Sequence, residues 1–202
     1  MNENASGADR QQEAQLIARA REGDRVALRE LVDLHKDRLF AFIWRMTRNH
    51  HDAEDICQEA FLKAFASLGT FSTKYRFSTW LFTIGYRVCL NGLRRKRNVT
   101  GELDVSALSL AGENGASQSL ESEEAGQLKQ KVWEAVDRLS IPQRAAVLLF
   151  YRHELSCQEI ARVLEFPVAT VKSHLHRGRG RLREMLESLN EEDLHQFRSL
   201  SG

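Results

Sequence analysis

Residues 155–182 read LSCQEIARVLEFPVATVKSHLHRGRGRL. Ser156 and Glu159 stand in S-x-x-E spacing, a capping box that predicts the start of a short helix. Ile160, Ala161 and Leu164 are placed to face inward. Phe166-Pro167 ends that helix and turns the chain. A second helix is expected from about Ala169-Thr170, with Val171, Leu175, Leu182 and Leu186 as its apolar positions. Its outer surface would present Lys172, Ser173, His176, Arg177 and Arg179. Two helices joined by a short turn, the second basic on its outer face, form a helix-turn-helix suited to the major groove. Arg and Lys pair there with guanine edges, and Ser or His reaches a base or phosphate. A helical hairpin with a solvated basic face is the plainer alternative. Gly178 and Gly180 each cost a helix about 1 kcal/mol relative to Ala. Gly178 lies seven residues beyond Val171, which would place it on the core side, where it permits close packing.

Upstream, VWEAVDRL puts Val132, Val136 and Leu139 on one face, and SIPQRAAVLLFY carries Pro142 early in a helix, where proline is tolerated. The N-terminal half repeats the helical period. A first helix is expected over about 11–22, with Leu16, Ile17 and Ala20 on one side. Gly23-Asp24 comes next, and Asp24 can cap a helix running to about 48 whose apolar stripe is Leu31, Val32, Leu39, Ile43 and Met46. Asp52 is a candidate N-cap for a third helix near 53–67, which turns Ile56, Ala60 and Ala64 to a core. After a loop at 69–76, a fourth helix starts near Phe77-Ser78. It begins aromatic and ends in the basic run Arg94 to Arg97. No strand-like alternation of useful length occurs.

The 202 residues carry a net charge of +1, which hides a pattern. Residues 1–97 hold 17 basic and 12 acidic side chains, 98–126 hold six acids and no Lys or Arg, and 127–202 hold 12 basic and 10 acidic. The middle segment loses helical periodicity and contains the small, polar run AGENGASQS, so it reads as a linker. The expected fold is therefore all-α, two small helical domains joined by a flexible acidic linker, the C-terminal one a helix-turn-helix. The expected limits are a disordered tail at 1–10, a domain at 11–97, the linker at 98–126, a domain at 127–188 and a tail at 189–202.

Other classes find little support. Cys57, Cys89 and Cys157 form no CxxC, so neither a zinc ribbon nor a disulfide framework is indicated. His174 and His176 are two apart on a helix and face different ways, and His50-His51 lack a metal-spaced cluster. No GxGxxG, Walker loop, GxSxG or HExxH occurs, so no cofactor or enzymatic activity is expected. No apolar run is long enough to insert in a membrane, and the polar N-terminus lacks a signal peptide's apolar core. The cytoplasm is the expected location.

Three stretches together resemble bacterial sigma factors of the small extracytoplasmic-function (ECF) group. DAEDICQEAFLKAF (52–65) is similar to the family's core-polymerase-binding helix. RFSTWLFTI (76–84), with LRRKR after it, is similar to its promoter-melting helix. Residues 155–182 are similar to its helix-turn-helix. Order and spacing agree, and the resemblance covers about residues 11–188.

The resemblance implies a protein that binds core RNA polymerase through the beta-prime and beta subunits, carries it to promoters and helps melt the duplex. For polymerase it implies Asp52, Asp55, Gln58, Glu59 and the apolar contact Phe65, docked on a helical hairpin of beta-prime. For double- and single-stranded minus ten DNA it implies Tyr75, Arg76, Ser78, Thr79, Trp80, Thr83, Arg87, Asn91, Arg94 and Arg95. The loop 69–76 would correspond to a pocket for a flipped base. Phe71 and Tyr75 could serve that pocket or anchor the core, and Phe77 and Leu81 are expected in the core. For the minus thirty-five element it implies Lys172, Ser173, His174, His176, Arg177 and Arg179. It further implies an anti-sigma protein as partner, and a path for the acidic linker toward the polymerase cleft. One position departs. Where many members carry an asparagine seven residues after the tryptophan, this chain has Arg87. The competing reading is a stand-alone helix-turn-helix regulator with an N-terminal sensing domain.

Overall fold

The computed structural model describes residues 3–100 and 123–200, with side chains over 10–96 and 130–187. Among these residues there are eight α-helices and no strand. The chain divides into two compact units, Met1–Thr100 and Gly101–Gly202.

The first unit holds α1 (Glu3–Arg21), α2 (Arg25–Thr47), α3 (His50–Ala66) and α4 (Phe77–Thr100), with a 3₁₀ turn at Leu68–Thr70. Helices α2, α3 and α4 pack on one another, and α1 lies along α2. Leu16, Ile17 and Ala20 of α1 are buried as their spacing predicts, as are Leu31, Leu39, Ile43 and Met46 of α2. Asp24 caps α2, its carboxylate accepting from the N–H of Val26 at 2.8 Å and of Ala27 at 3.3 Å. The Arg19 guanidinium beside it, with those backbone donors, holds the Asp24 carboxyl below its ordinary range. Gly85 sits where α4 meets α2: a Cβ there would stand 2.8 Å from Leu39 Cδ1, so a larger residue would have to push the end of the Leu39 side chain aside.

In and after this unit, several boundaries differ from the sequence expectation. Helix α1 begins at Glu3 rather than near residue 11, because no proline interrupts ENASGADR and one glycine does not stop a helix. Asn49, not Asp52, is the N-cap of α3. Its extended backbone (φ −135°, ψ 127°) and side-chain oxygen meet the Asp52 N–H at 2.9 Å. Asp52 then falls in the first turn, where a carboxylate favours the helix dipole. Of the proposed linker 98–126, residues 101–122 lie outside the described residues, whereas α4 runs through Thr100 and the next helix starts at Glu123.

The second unit holds α5 (Glu123–Asp137), α6 (Ile141–Tyr151), α7 (Cys157–Leu164) and α8 (Val168–Leu200). Pro142 stands in the first turn of α6, as expected. The capping box forms at α7: Ser156 Oγ accepts from the Glu159 N–H at 3.3 Å, and Glu159 Oε2 accepts from the Ser156 N–H at 2.9 Å. Ile160 and Leu164 are buried as expected, joined by Val163. Glu165 ends α7 in the left-handed conformation at φ 58°. Helix α8 reaches Leu200, beyond the expected limit at 188, since no glycine or proline comes after Gly180 until Gly202.

The two glycines of α8 prove different. A Cβ on Gly178 would come within 3.1 Å of Val147 Cγ2, near Gln143 and Leu139, so the expected close approach to α6 is there. A Cβ on Gly180 would meet nothing within 4 Å. Gly180→Ala should therefore raise the unfolding free energy by about 1 kcal/mol through helix propensity. Gly178→Ala should lower it by about 1 kcal/mol, as crowding outweighs the same gain. Urea denaturation of the two variants should show these opposite signs.

Candidate nucleic-acid interface

The acidic face of α3 arises from helical spacing. Ala53, Ile56, Ala60 and Ala64 turn to the core, which leaves Asp55, Gln58 and Glu59 exposed on one side. Glu59 also reaches Lys63 Nζ at 2.7 Å, one turn on. Asp52 sits at the edge of this face and pairs with Lys96 of α4. Phe65 is half-buried and packs on Phe61 with ring centroids 5.9 Å apart. Leu62 is 64% exposed among these polar groups, and the sequence reading passed over it. Its signal is an apolar residue three and four places after Glu59 and Gln58, where a solvated face would carry a polar one. Burial pushes the Cys57 thiol behind this face up to about 12, so it acts as an apolar group rather than a nucleophile.

The aromatic start of α4 makes a cluster. The Phe71 ring meets Phe77 at 5.5 Å and Trp80 at 5.2 Å, and Phe77 meets Trp80 at 5.6 Å. Phe71, Phe77 and Leu81 are buried, whereas Tyr75 is 47% exposed. The open choice between pocket and anchor thus divides: Phe71 is the anchor and Tyr75 is on the surface. Trp80 is half-buried at the margin of the cluster, with Ser78 also half-buried and Arg76 exposed. Thr79 is a correction. It is 3% exposed, because one turn of helix carries it to the same side as the core. Its carbonyl accepts from the half-buried Thr83 hydroxyl at 2.9 Å. Arg87, Asn91, Arg94 and Arg95 are exposed at helical spacing and line one face of α4.

In the second unit, α7 and α8 form the helix-turn-helix. Val171 and Leu175 are buried, and Lys172, Ser173, His176, Arg177 and Arg179 are exposed. Two of these are steadied by their own helix: the Ser173 hydroxyl donates to the Ala169 carbonyl at 3.0 Å, and Arg179 Nε to the Leu175 carbonyl at 3.3 Å. His174, expected on the same DNA face, is less open than its neighbours there. It is half-buried against the Phe166 ring, with centroids 5.4 Å apart, and its Nδ1 is enclosed. Burial first, and then the Arg177 charge, push its pKa below the ordinary histidine value. The ring stays neutral at pH 7 and braces the turn, because position 174 comes three residues after Val171 and lies toward the packed side.

Among the described residues no group of three or more His, Cys, Asp or Glu is gathered as a metal site. Among them, too, no helix is long and apolar enough to cross a membrane. One apolar-capped acidic face and two basic faces, one on the helix that carries half-buried Trp80 in its first turn and follows exposed Tyr75, are the chemistry of a protein that meets both a protein partner and nucleic acid.

Comparison with known proteins fits that surface. Residues 31–99 match the Sigma-70 region 2 family, and residues 129–182 match Sigma-70, region 4. The chain is 34% identical over 185 residues to the ECF RNA polymerase sigma factor SigW of Bacillus subtilis (strain 168), covering 86% of this chain and 96% of that relative. It is 31% identical to the RNA polymerase sigma-H factor of Pseudomonas aeruginosa, covering 90% and 97%. Among solved structures, it resembles the sigma factor RpoE in complex with the anti-sigma factor NepR from Bartonella quintana, at 25% identity and a TM-score of 0.62, over 79% of this chain and 96% of that one. The fold of CnrH, solved with the cytosolic domain of CnrY, is also similar (TM-score 0.64, 23% identity, 86% and 96% covered). The chain is a sigma factor of the Sigma-70 type. It belongs to the ECF group of RNA polymerase sigma factors.

Proposed function

We propose that this sigma factor divides promoter initiation among three surfaces. The exposed Asp55, Gln58 and Glu59 of α3, with Leu62 and Phe65, dock on core RNA polymerase through beta-prime. The face of α4 bearing Arg87, Asn91, Arg94 and Arg95 holds the minus ten region, with Trp80 at the melting junction and Tyr75 and Arg76 toward the unpaired strand. Lys172, Ser173, His176, Arg177 and Arg179 of α8 enter the minus thirty-five major groove. Thr79 and His174 support these surfaces from within. The observation that carries the reading is the order of parts on one chain: an acidic helix, an aromatic helix ending in cations, then a capped helix-turn-helix, spanned by the two family matches. A stand-alone regulator has no need of the region matched at 31–99.

No catalytic residue is assigned, because the polymerase performs the chemistry. The cytoplasm, where polymerase works, is the proposed location, and an anti-sigma protein is a proposed partner. The test is run-off transcription with purified core polymerase and promoters selected from a genomic library. If the chain neither binds core nor starts transcription from any selected promoter, the sigma reading is lost.

Arg87 tests how the minus ten region is held. A guanidinium is always charged and favours phosphate contact or stacking over the paired donor and acceptor of an amide. Arg87→Ala should weaken promoter opening by a similar factor, about tenfold for one charged contact, across all variants of the minus ten sequence. A change in the preferred base would instead make Arg87 a reader.

A further inference from the structure

Arg21 ends α1 and reaches far along the sequence to the loop that enters α4. Its Nε donates to the Leu68 carbonyl at 3.2 Å, and a terminal N–H donates to the Phe71 carbonyl. One guanidinium thereby grips the 3₁₀ turn at its first residue and just past its last. The Phe71 N–H already donates to the Leu68 carbonyl at 3.2 Å, so Arg21 reinforces a closed turn. On the inner side the Phe71 ring is packed against Phe77 and Trp80. Phe71 is therefore held twice, by its ring in the core and by its carbonyl on Arg21.

Beyond Phe71 the chain leaves the core for the surface. Residues 72–76 are all exposed, and the Tyr75 N–H donates back to the Ser72 carbonyl at 3.1 Å. This short loop presents one aromatic ring, Tyr75, between two cations, Lys74 and Arg76. Such a set stacks on an unpaired base and holds its phosphates. A loop can select a base only if its root is fixed, since small misplacements cost contacts.

We propose that Arg21 is a positioning residue for minus ten recognition: by clamping the Leu68 and Phe71 carbonyls it fixes the root of the 72–76 loop, so that the loop offers a set shape to the unpaired strand. The proposal rests on the reading of this loop as the pocket for a flipped base. Arg21 touches neither the acidic face of α3 nor the cationic face of α4 in this role; it acts through the backbone of the turn. A fork of several N–H groups can serve two carbonyls at once. A lysine keeps the charge but, as a point donor on a shorter reach, cannot hold both.

Arg21→Lys and Arg21→Ala, each in the full chain, separate the clamp from simple charge. Three readouts apply: core-polymerase affinity, opening of promoters varied at each minus ten position, and amide hydrogen exchange across 68–76. Both variants should bind core as the wild type does. Both should lose about tenfold in opening of the best promoter and flatten the preference among bases, as expected for lost charge-assisted bonds. Exchange should quicken over 68–76 and stay unchanged in α2 and α3. If Arg21→Lys keeps the wild-type rate and preference, Arg21 acts as charge and the proposal is overturned. It is also overturned if opening falls with base preference intact, or if exchange in the loop is unaltered in Arg21→Lys. Should Arg21→Ala loosen the whole unit, the lysine variant and its exchange pattern still decide. A wild-type chain that opens no promoter would overturn the sigma reading itself, a result distinct from any failure of the lysine variant.

Discussion

A chain carrying Asp55→Lys and Glu59→Lys should bind core RNA polymerase about a hundredfold more weakly than the wild type, on the scale of close charge pairs across an interface. Both side chains are exposed on α3 and neither supports the core, so the fold should remain. The local cost falls at Glu59, whose partner Lys63 lies at 2.7 Å. A lysine there would face a like charge one turn on, worth a few tenths of a kcal/mol, about 0.2–0.5. Circular dichroism and thermal melting should therefore match the wild type while affinity falls. The loss should shrink as salt rises, because exposed charges are screened. If the double variant is folded and binds core as tightly as the wild type, α3 is not the docking face. Leu62→Ala offers an uncharged check, with a smaller loss that salt does not change.

The second large effect concerns stability. Arg144 of α6 is a buried cation, 9% exposed, that donates to the carbonyls of Asp137 and, at 3.3 Å, Leu139. These carbonyls close α5 and the turn after it, where no further helix N–H is available to them. Arg144→Ala removes the donor and leaves a void in a packed position. The expected cost is about 3 kcal/mol, the sum of unmet buried carbonyls and lost packing. Chemical denaturation should show the second unit melting earlier, with the first unit's transition in place. Arg144→Met should recover the packing share but not the hydrogen bonds, and so fall between. A variant as stable as the wild type would show that water satisfies those carbonyls at no cost.

The pattern of side chains disclosed much of the fold and less of the site's detail. The capping box at Ser156 and Glu159, the core face of Leu16, Ile17 and Ala20, and the close packing at Gly178 all rest on spacing, which the sequence displays. Caps were harder. Asn49 and Asp52 are both good N-cap residues, and only the backbone conformation at Asn49 decides between them. The family motif placed Thr79 on the DNA side by position, yet it sits on the inner part of its helix, where a small hydroxyl can be enclosed, and His174 lies half-buried against Phe166. Arg21 and Arg144 left no trace in the pattern. Each bonds to backbone carbonyls, and every residue offers a carbonyl, so no partner type stands at a fixed spacing to reveal them. Leu62 could have been found, because an exposed leucine among acids breaks the period of its helix.

The ion pair between Asp52 and Lys96 has a further consequence. It ties the end of the acidic face to the basic end of α4. If polymerase draws on the Asp52 charge, Lys96 becomes more available to a phosphate, and a phosphate on Lys96 would in turn leave Asp52 more available to polymerase. Equilibrium requires the two influences to be equal: whatever factor one ligand confers on the other is returned in full. For an exposed pair that factor is small, within about 1 kcal/mol. Its sign is cooperative, so the two halves of initiation would favour each other's company from the first encounter.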